Sequence, residues 1–283
     1  MDDLKGHRRS LIVSSLFAER TGTRGAIVGT IATIAVLVLV GWLITRSSGW
    51  QVVQDQFLNW DVFSDSFPGI AGAFLTNVII FLSAEAIVLV FGLLLALMRS
   101  LRAPIFFPLR AFSVIYCDVF RGIPAILLIY LLGFGAPALQ VTGIPRSPLF
   151  WGIVALSLTW SAYVAEVYRA GMDAVPPTQE AAARALGLNR RQAMRLVVLP
   201  QAVRHVIPPL LNDFIGLQKD TALIAVLGVV EALRQAQLDS AATFNFTPYV
   251  AAAVMFLLIT IPLTRFTDWM ISRDRRRRLG VAR

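Results

Sequence analysis

The chain has 283 residues, of which 57% are hydrophobic and only 15% charged, against about 25% charged in an ordinary soluble domain. That balance excludes an ordinary soluble enzyme. Two histidines, His7 and His205, and one cysteine, Cys117, exclude a haem pair, a dedicated metal cage, a His-based catalytic triad and an internal disulfide. A net charge of +9 would suit nucleic acid, but the basic residues lie between apolar stretches and on the tail, as in a membrane protein.

Residues 1–25 form a basic N-terminus with Lys5, Arg8, Arg9, Arg20 and Arg24. The first apolar stretch, 26–45, has about twenty residues and exceeds the 7–15 of a signal-peptide core, so it is predicted to be a retained anchor. Residues 46–72 carry Trp50, Phe57, Trp60, Phe63 and Phe67 among Asp55, Asp61 and Asp65. They are predicted to lie along the outer interface. Five further apolar stretches follow: Phe74–Leu97, Ala111–Gly133, Leu149–Ala165, Val206–Val230 and Tyr249–Ile271. Asn212, Asp213, Gln218, Lys219 and Asp220 make the Val206 stretch the least apolar.

Alternate connections differ in positive charge. Arg99, Arg102 and Arg110 lie in one, Arg169, Arg184, Arg190, Arg191, Arg195 and Arg204 in another, and six arginines in the tail over 272–283. The remaining three hold Arg46, Arg146 and Arg234 alone. The positive-inside rule then places both termini in the cytoplasm, with residues 175–201 on the same side.

Residues 175–201 form a basic, helix-prone island. Pro176 and Pro177 stop the preceding helix, and Thr178 is predicted to cap a new one. Gly187 suits the left-handed position that ends it, and Asn189 can cap a second helix, from Arg190 to about Leu199, before Pro200. Ala181, Ala182 and Ala185 leave a small-residue face that another surface could approach closely.

Within the spans, Glu85, Asp118, Arg121, Lys219 and Asp220 are costly to bury and so are substrate-pathway candidates. Gly122 and Pro124 can break a helix beside Arg121 and free backbone groups that line a cavity. The plainer alternative pairs Asp118 with Arg121, three apart on one helix; Glu166 and Arg169 have the same spacing and are predicted to form a local ion pair.

The island resembles the cytoplasmic coupling motif of the permease subunits of ABC importers. Aligned on Gly187, Ala181-Ala182-Ala183, Gly187 and Val197-x-Leu199-Pro200 keep the family's spacing, with Gln179 and Glu180 just before. Ala181 stands where that motif has glutamate, and Thr178 where the polar-amino-acid subgroup commonly has glycine. Phe120-Arg-Gly-Ile-Pro124, Ser161-Ala-Tyr-Val-Ala-Glu-Val-Tyr-Arg169, Leu199-Pro-Gln-Ala202 and Lys219-Asp-Thr-Ala-Leu223 are similar to that polar-amino-acid subgroup.

The resemblance implies an all-α integral membrane protein: a five-helix type I importer core over residues 73–271 plus an added N-terminal helix, six spans in all. It implies a multi-pass location in the bacterial cytoplasmic membrane. It also implies cytoplasmic ATPase subunits that bind ATP and Mg, a second permease copy or homologue, an extracytoplasmic binding protein, no cofactor in this chain and no nucleic-acid partner. Gln179, Glu180, Ala181, Ala182, Ala183, Gly187, Leu199 and Pro200 would then meet the ATPase. The chain's lysines, Lys5 and Lys219, follow no glycine-rich phosphate loop, so ATP hydrolysis belongs to that partner. Ala181 points toward an unlike permease partner that carries the full motif. A gradient-driven secondary transporter is the rival class, and it predicts inverted repeats that the sequence does not display.

Overall fold

A computed structural model describes residues 23–101 and 103–278, and every regular element among them is helical. The expectations for Lys5, Arg8, Arg9, Arg20, Arg102 and the tail over 279–283 lie outside the described residues. The chain divides into two compact units, Met1–Gln56 and Phe57–Arg283. In the first, α1 (Thr23–Thr45) is apolar on all sides and is followed by the short α2 (Trp50–Phe57).

The second unit opens with α3 (Trp60–Ser100), which starts well before the expected Phe74. Asn59 sets that start: its side chain accepts from the Val62 amide at 3.2 Å. Next come α4 (Phe107–Gly122) and α5 (Ala125–Tyr130), the latter extended by a wide turn over Leu131–Gly135. The long α6 (Pro148–Asp173) leads to α7 (Pro177–Ala185), α8 (Arg190–Ala193) and α9 (Leu199–Asp220). The chain ends with α10 (Ala232–Thr243) and α11 (Thr247–Arg278).

Four of these helices are long and apolar enough to cross a membrane, or five if the bent α4–α5 pair is one span. The expected stretch Val206–Val230 departs from a simple span. Its α-helix stops at Asp220, tightens into a 3₁₀ turn over Thr221–Leu227, and reverses at Gly228, whose φ is 80°. The polar run from Asn212 to Asp220 keeps this segment less apolar than its neighbours.

α3 packs along α6, and α9 lies against α6. Ile80, Ala84 and Val88 of α3 meet Ala155, Leu156 and Val164 of α6 and Leu217 of α9 in one buried cluster. Small residues allow the close approach that membrane helices rely on. A Cβ at Gly171 of α6 would sit 2.1 Å from Val206 Cγ2 of α9. A buried polar knot ties α3 to α10. Asn77 donates to Glu231 at 2.8 Å and to Thr221 at 3.0 Å, and accepts from the Ala232 amide at 3.0 Å. Glu231, fully buried, also accepts from the amides of Leu233 and Arg234, so it caps α10 while satisfying its own oxygens.

Candidate functional site

The break between α4 and α5 builds the first part of the site. Pro124 forces the preceding Ile123 into extended backbone (φ −88°, ψ 129°), so α4 ends at Gly122. Pro124 then caps α5, and the two helices meet at 99°. A cavity of about 480 Å³ opens at this corner. Arg121 and Asp220 lie on its wall with Trp160, Tyr163 and Thr159 of α6.

Each charged group on that wall is positioned by another element. The Trp160 indole N–H donates to Asp220 at 3.1 Å. The Arg121 guanidinium sits 5.6 Å from the Tyr163 ring centroid, within cation–π range. Gly216 of α9 makes room for Trp160, because a Cβ there would lie 2.2 Å from the ring. The Thr159 hydroxyl is buried with no hydrogen-bond partner among the described residues. The cavity thus presents one cation, one anion and two aromatic faces.

Behind it, Glu166 gathers three arginines. Arg99 from the end of α3 lies 2.8 Å away, Arg121 lies 3.9 Å away, and Arg169 one turn on forms the expected ion pair. Arg169 also meets Asp173 at 2.7 Å. The alternative pairing of Asp118 with Arg121 does not form among the described residues: Arg121 turns toward Glu166, and Asp118 is exposed. Neither Asp118, Glu85 nor Lys219 lines the cavity. Glu85 is buried in α3, and Lys219 is exposed at the end of α9. Trp160 and Tyr163 were not singled out from sequence as wall residues. Their three-residue spacing on α6, one turn before Glu166, was the available signal.

The second part is the island. Pro176, not Thr178, precedes α7, and Pro177 occupies its first turn, where a missing N–H costs nothing and the fixed φ suits the helix. The far end closes as expected. Gly187 has φ +89°, the Gly187 amide donates to Arg184 at 3.0 Å, and the Leu188 amide reaches back to Ala183 at 3.2 Å. Asn189 and Gln192 then form a reciprocal capping box at 2.9 Å each way.

Beyond it the expected stop before Pro200 is absent. α8 runs into α9 through a π turn over Met194–Val198, and the Leu199 amide donates to Met194 five residues back. That wider turn makes room for a proline that lacks an N–H of its own.

Ala183 packs inward, while Gln179, Ala181, Ala182 and Leu199 face solvent. Leu186 is 85% exposed, a large apolar residue left uncovered among the described residues. Glu180 turns toward Arg190 of α8 at 3.9 Å, and Gln179 accepts from Gln201 at 3.3 Å. These contacts tie α7 to α8 and to the start of α9, and leave the Ala181 face open.

A model of the family described as binding-protein-dependent transport system inner membrane component matches residues 88–276. The probable amino-acid permease protein YxeN of Bacillus subtilis is 32% identical over 205 residues, covering 72% of this chain and 90% of that protein. The arginine transport system permease protein ArtQ of the same organism is 33% identical over 204 residues, covering 71% and 92%. Among solved structures, an amino acid ABC transporter with histidines matches at a TM-score of 0.67 and 31% identity, covering 77% of this chain and 98% of that one. The MetNI methionine ABC transporter, at 0.51 and 21%, shares the fold.

Proposed function

Since this chain belongs to the family of binding-protein-dependent transport system inner membrane components, we propose that it provides the translocation path for a polar amino acid in an ATP-driven importer. It is a multi-pass inner-membrane permease of the ABC class. The amino-acid permeases among its relatives support the substrate class.

The observation that carries the proposal is the corner between α4 and α5, where Arg121 and Asp220 share one cavity. An amino acid brings a carboxylate and an ammonium, and this wall offers a partner for each. Arg121 has a second partner in Glu166 at 3.9 Å, so a substrate carboxylate would compete with Glu166 for it. Glu85, Asp118 and Lys219 belong to the proposed path outside this cavity.

In this proposal the core has five spans, α1 adds a sixth, and both termini are cytoplasmic. The capped α7 docks on a separate ATPase, which binds ATP and Mg, and passes its closure to α6 and α9. An extracytoplasmic binding protein supplies the substrate, and a second permease, like or unlike, completes the path. Reconstitution with the ATPase and binding protein in liposomes tests this. A polar amino acid is expected to stimulate ATP hydrolysis and to enter only with ATP present, and Asp220→Asn to lower both. Uptake driven by an imposed ion gradient without ATP would favour the secondary-transporter class instead.

A further inference from the structure

A second cavity, of about 350 Å³, lies between α9 and α11, away from the corner that holds Arg121. Arg204 and Arg273 stand on its wall with Trp269, and Ile207, Leu211 and Met270 supply its apolar part. Pro208 also lines it. Neither arginine has a carboxylate partner among the described residues, whereas nearby Arg265 pairs with Asp268 at 3.7 Å. Arg273 instead lies over the Trp269 ring, 5.2 Å from its centroid.

The position along the helix matters as much as the composition. The apolar stretch Tyr249–Ile271 gives way to the basic tail just before Arg273, so the crevice lies at the level where the apolar part of α11 ends. Tryptophan is enriched at that level, and an arginine there holds its charge at the headgroups while its stem stays apolar. Two guanidinium groups with no carboxylate partner among the described residues, above an aliphatic wall, match a group that is anionic at one end and hydrocarbon at the other. Guanidinium also forms paired hydrogen bonds to phosphate oxygens, which ammonium cannot reproduce.

We propose that the crevice between α9 and α11 binds one anionic phospholipid, its phosphate held by Arg204 and Arg273 and an acyl chain lying on Ile207, Leu211 and Met270. Basic pockets between membrane helices are a recognised way of holding such headgroups. The inference rests on where the apolar span ends and not on the substrate or the ATPase. It therefore stands or falls separately from the transport proposal.

The test uses the assembled transporter purified in mild detergent and exchanged into nanodiscs of phosphatidylcholine with or without phosphatidylglycerol. Native mass spectrometry counts retained phosphatidylglycerol, and thermal unfolding reports its stabilising effect. Wild type is expected to retain phosphatidylglycerol over phosphatidylcholine. Arg204→Gln with Arg273→Gln is expected to lower that preference by about tenfold or more, and Arg265→Gln to leave it unchanged. Met270→Trp, which fills the apolar wall and keeps both arginines, is expected to lose retention as well. Equal retention by wild type and the double variant overturns the proposal. So does full stabilisation by inorganic phosphate in phosphatidylcholine alone, which would make this a free-anion site. Loss of the second permease from the double variant, with lipid retained, would make the crevice a subunit contact and overturn it too.

Discussion

Two of the breaks between core helices are finished in opposite ways. Between α7 and α8 the chain turns on Gly187 with φ +89°, and its own backbone and the Asn189–Gln192 box take up the freed polar groups. What the turn offers outward is apolar: the large Leu186 beside the small Ala181 and Ala182. Between α4 and α5 the turn is made by Pro124 over extended Ile123, with no cap from a side chain. There Arg121 of α4 is joined by polar groups from α6 and the end of α9, and together they surround a void. A self-satisfied break makes a rigid surface suited to transmitting a push, and a break completed by other helices makes a cavity whose shape follows their movement.

The largest effect is expected at the open break. Glu166→Ala removes the carboxylate that holds Arg99, Arg121 and Arg169 together and leaves three like charges facing one another. These side chains are about a quarter to two-fifths exposed, so the cost should fall at the low end for broken buried pairs, ~3 kcal/mol. Thermal and denaturant unfolding in detergent would measure it. A loss below ~1 kcal/mol would mean that water, not Glu166, neutralises these arginines. Trp160→Phe comes next. It keeps an aromatic wall but takes the indole N–H from Asp220. A loss of ~2 kcal/mol is expected for an ionised acceptor left without its donor, together with weaker amino-acid stimulation of the ATPase. Unchanged stimulation would detach Asp220 from substrate contact.

The closed break should respond locally. Gly187→Val places a β-branched residue in the left-handed region, at about 1–2 kcal/mol. Hydrogen exchange is expected to quicken at the Gly187 and Leu188 amides, whose bonds define the turn, while the midpoint of global unfolding moves little. Coupled ATP hydrolysis should fall with it, and Gly187→Asn should recover part of it because asparagine tolerates this conformation. Loss of global stability equal to that of Glu166→Ala would abolish the distinction between the two breaks.

These differences were unequally legible in the sequence. The Gly187 and Asn189 caps, the helix stop before Pro124 and the Glu166–Arg169 pair all depend on residues within a few positions, where turn chemistry and helix spacing are direct guides. Thr178 misled because a proline pair already presets the first turn of α7, leaving nothing for a hydroxyl to cap. Pro200 misled because a π turn absorbed it without ending the helix. The partners of Arg121 and Asp220 were hidden for another reason: Trp160 lies 60 positions from Asp220, and Asn77 lies 154 from Glu231. No periodicity links such residues; only the packing of α3, α6, α9 and α10 brings them together.

The smallest effect concerns the alanine that stands where the coupling motif has glutamate. Glu180 is one residue away and already turns to Arg190, which is 84% exposed, at 3.9 Å. Such a pair contributes at most about 0.5 kcal/mol, so Glu180→Ala should barely change unfolding. Its use lies in separating two roles. If Glu180 only ties α7 to α8, Glu180→Ala leaves coupled ATP hydrolysis near wild type, and Ala181→Glu strengthens the complex by adding a carboxylate to the open face. If Glu180 substitutes for the missing group by a rotation of α7, Glu180→Ala abolishes coupling and Ala181→Glu in that background restores it. The geometry favours the first outcome. The two positions are about 100° apart around the helix, and the Schellman turn that closes α7, followed by the capping box that starts α8, resists that rotation. Copurification of the ATPase with each variant, beside the rate of coupled hydrolysis, decides between them.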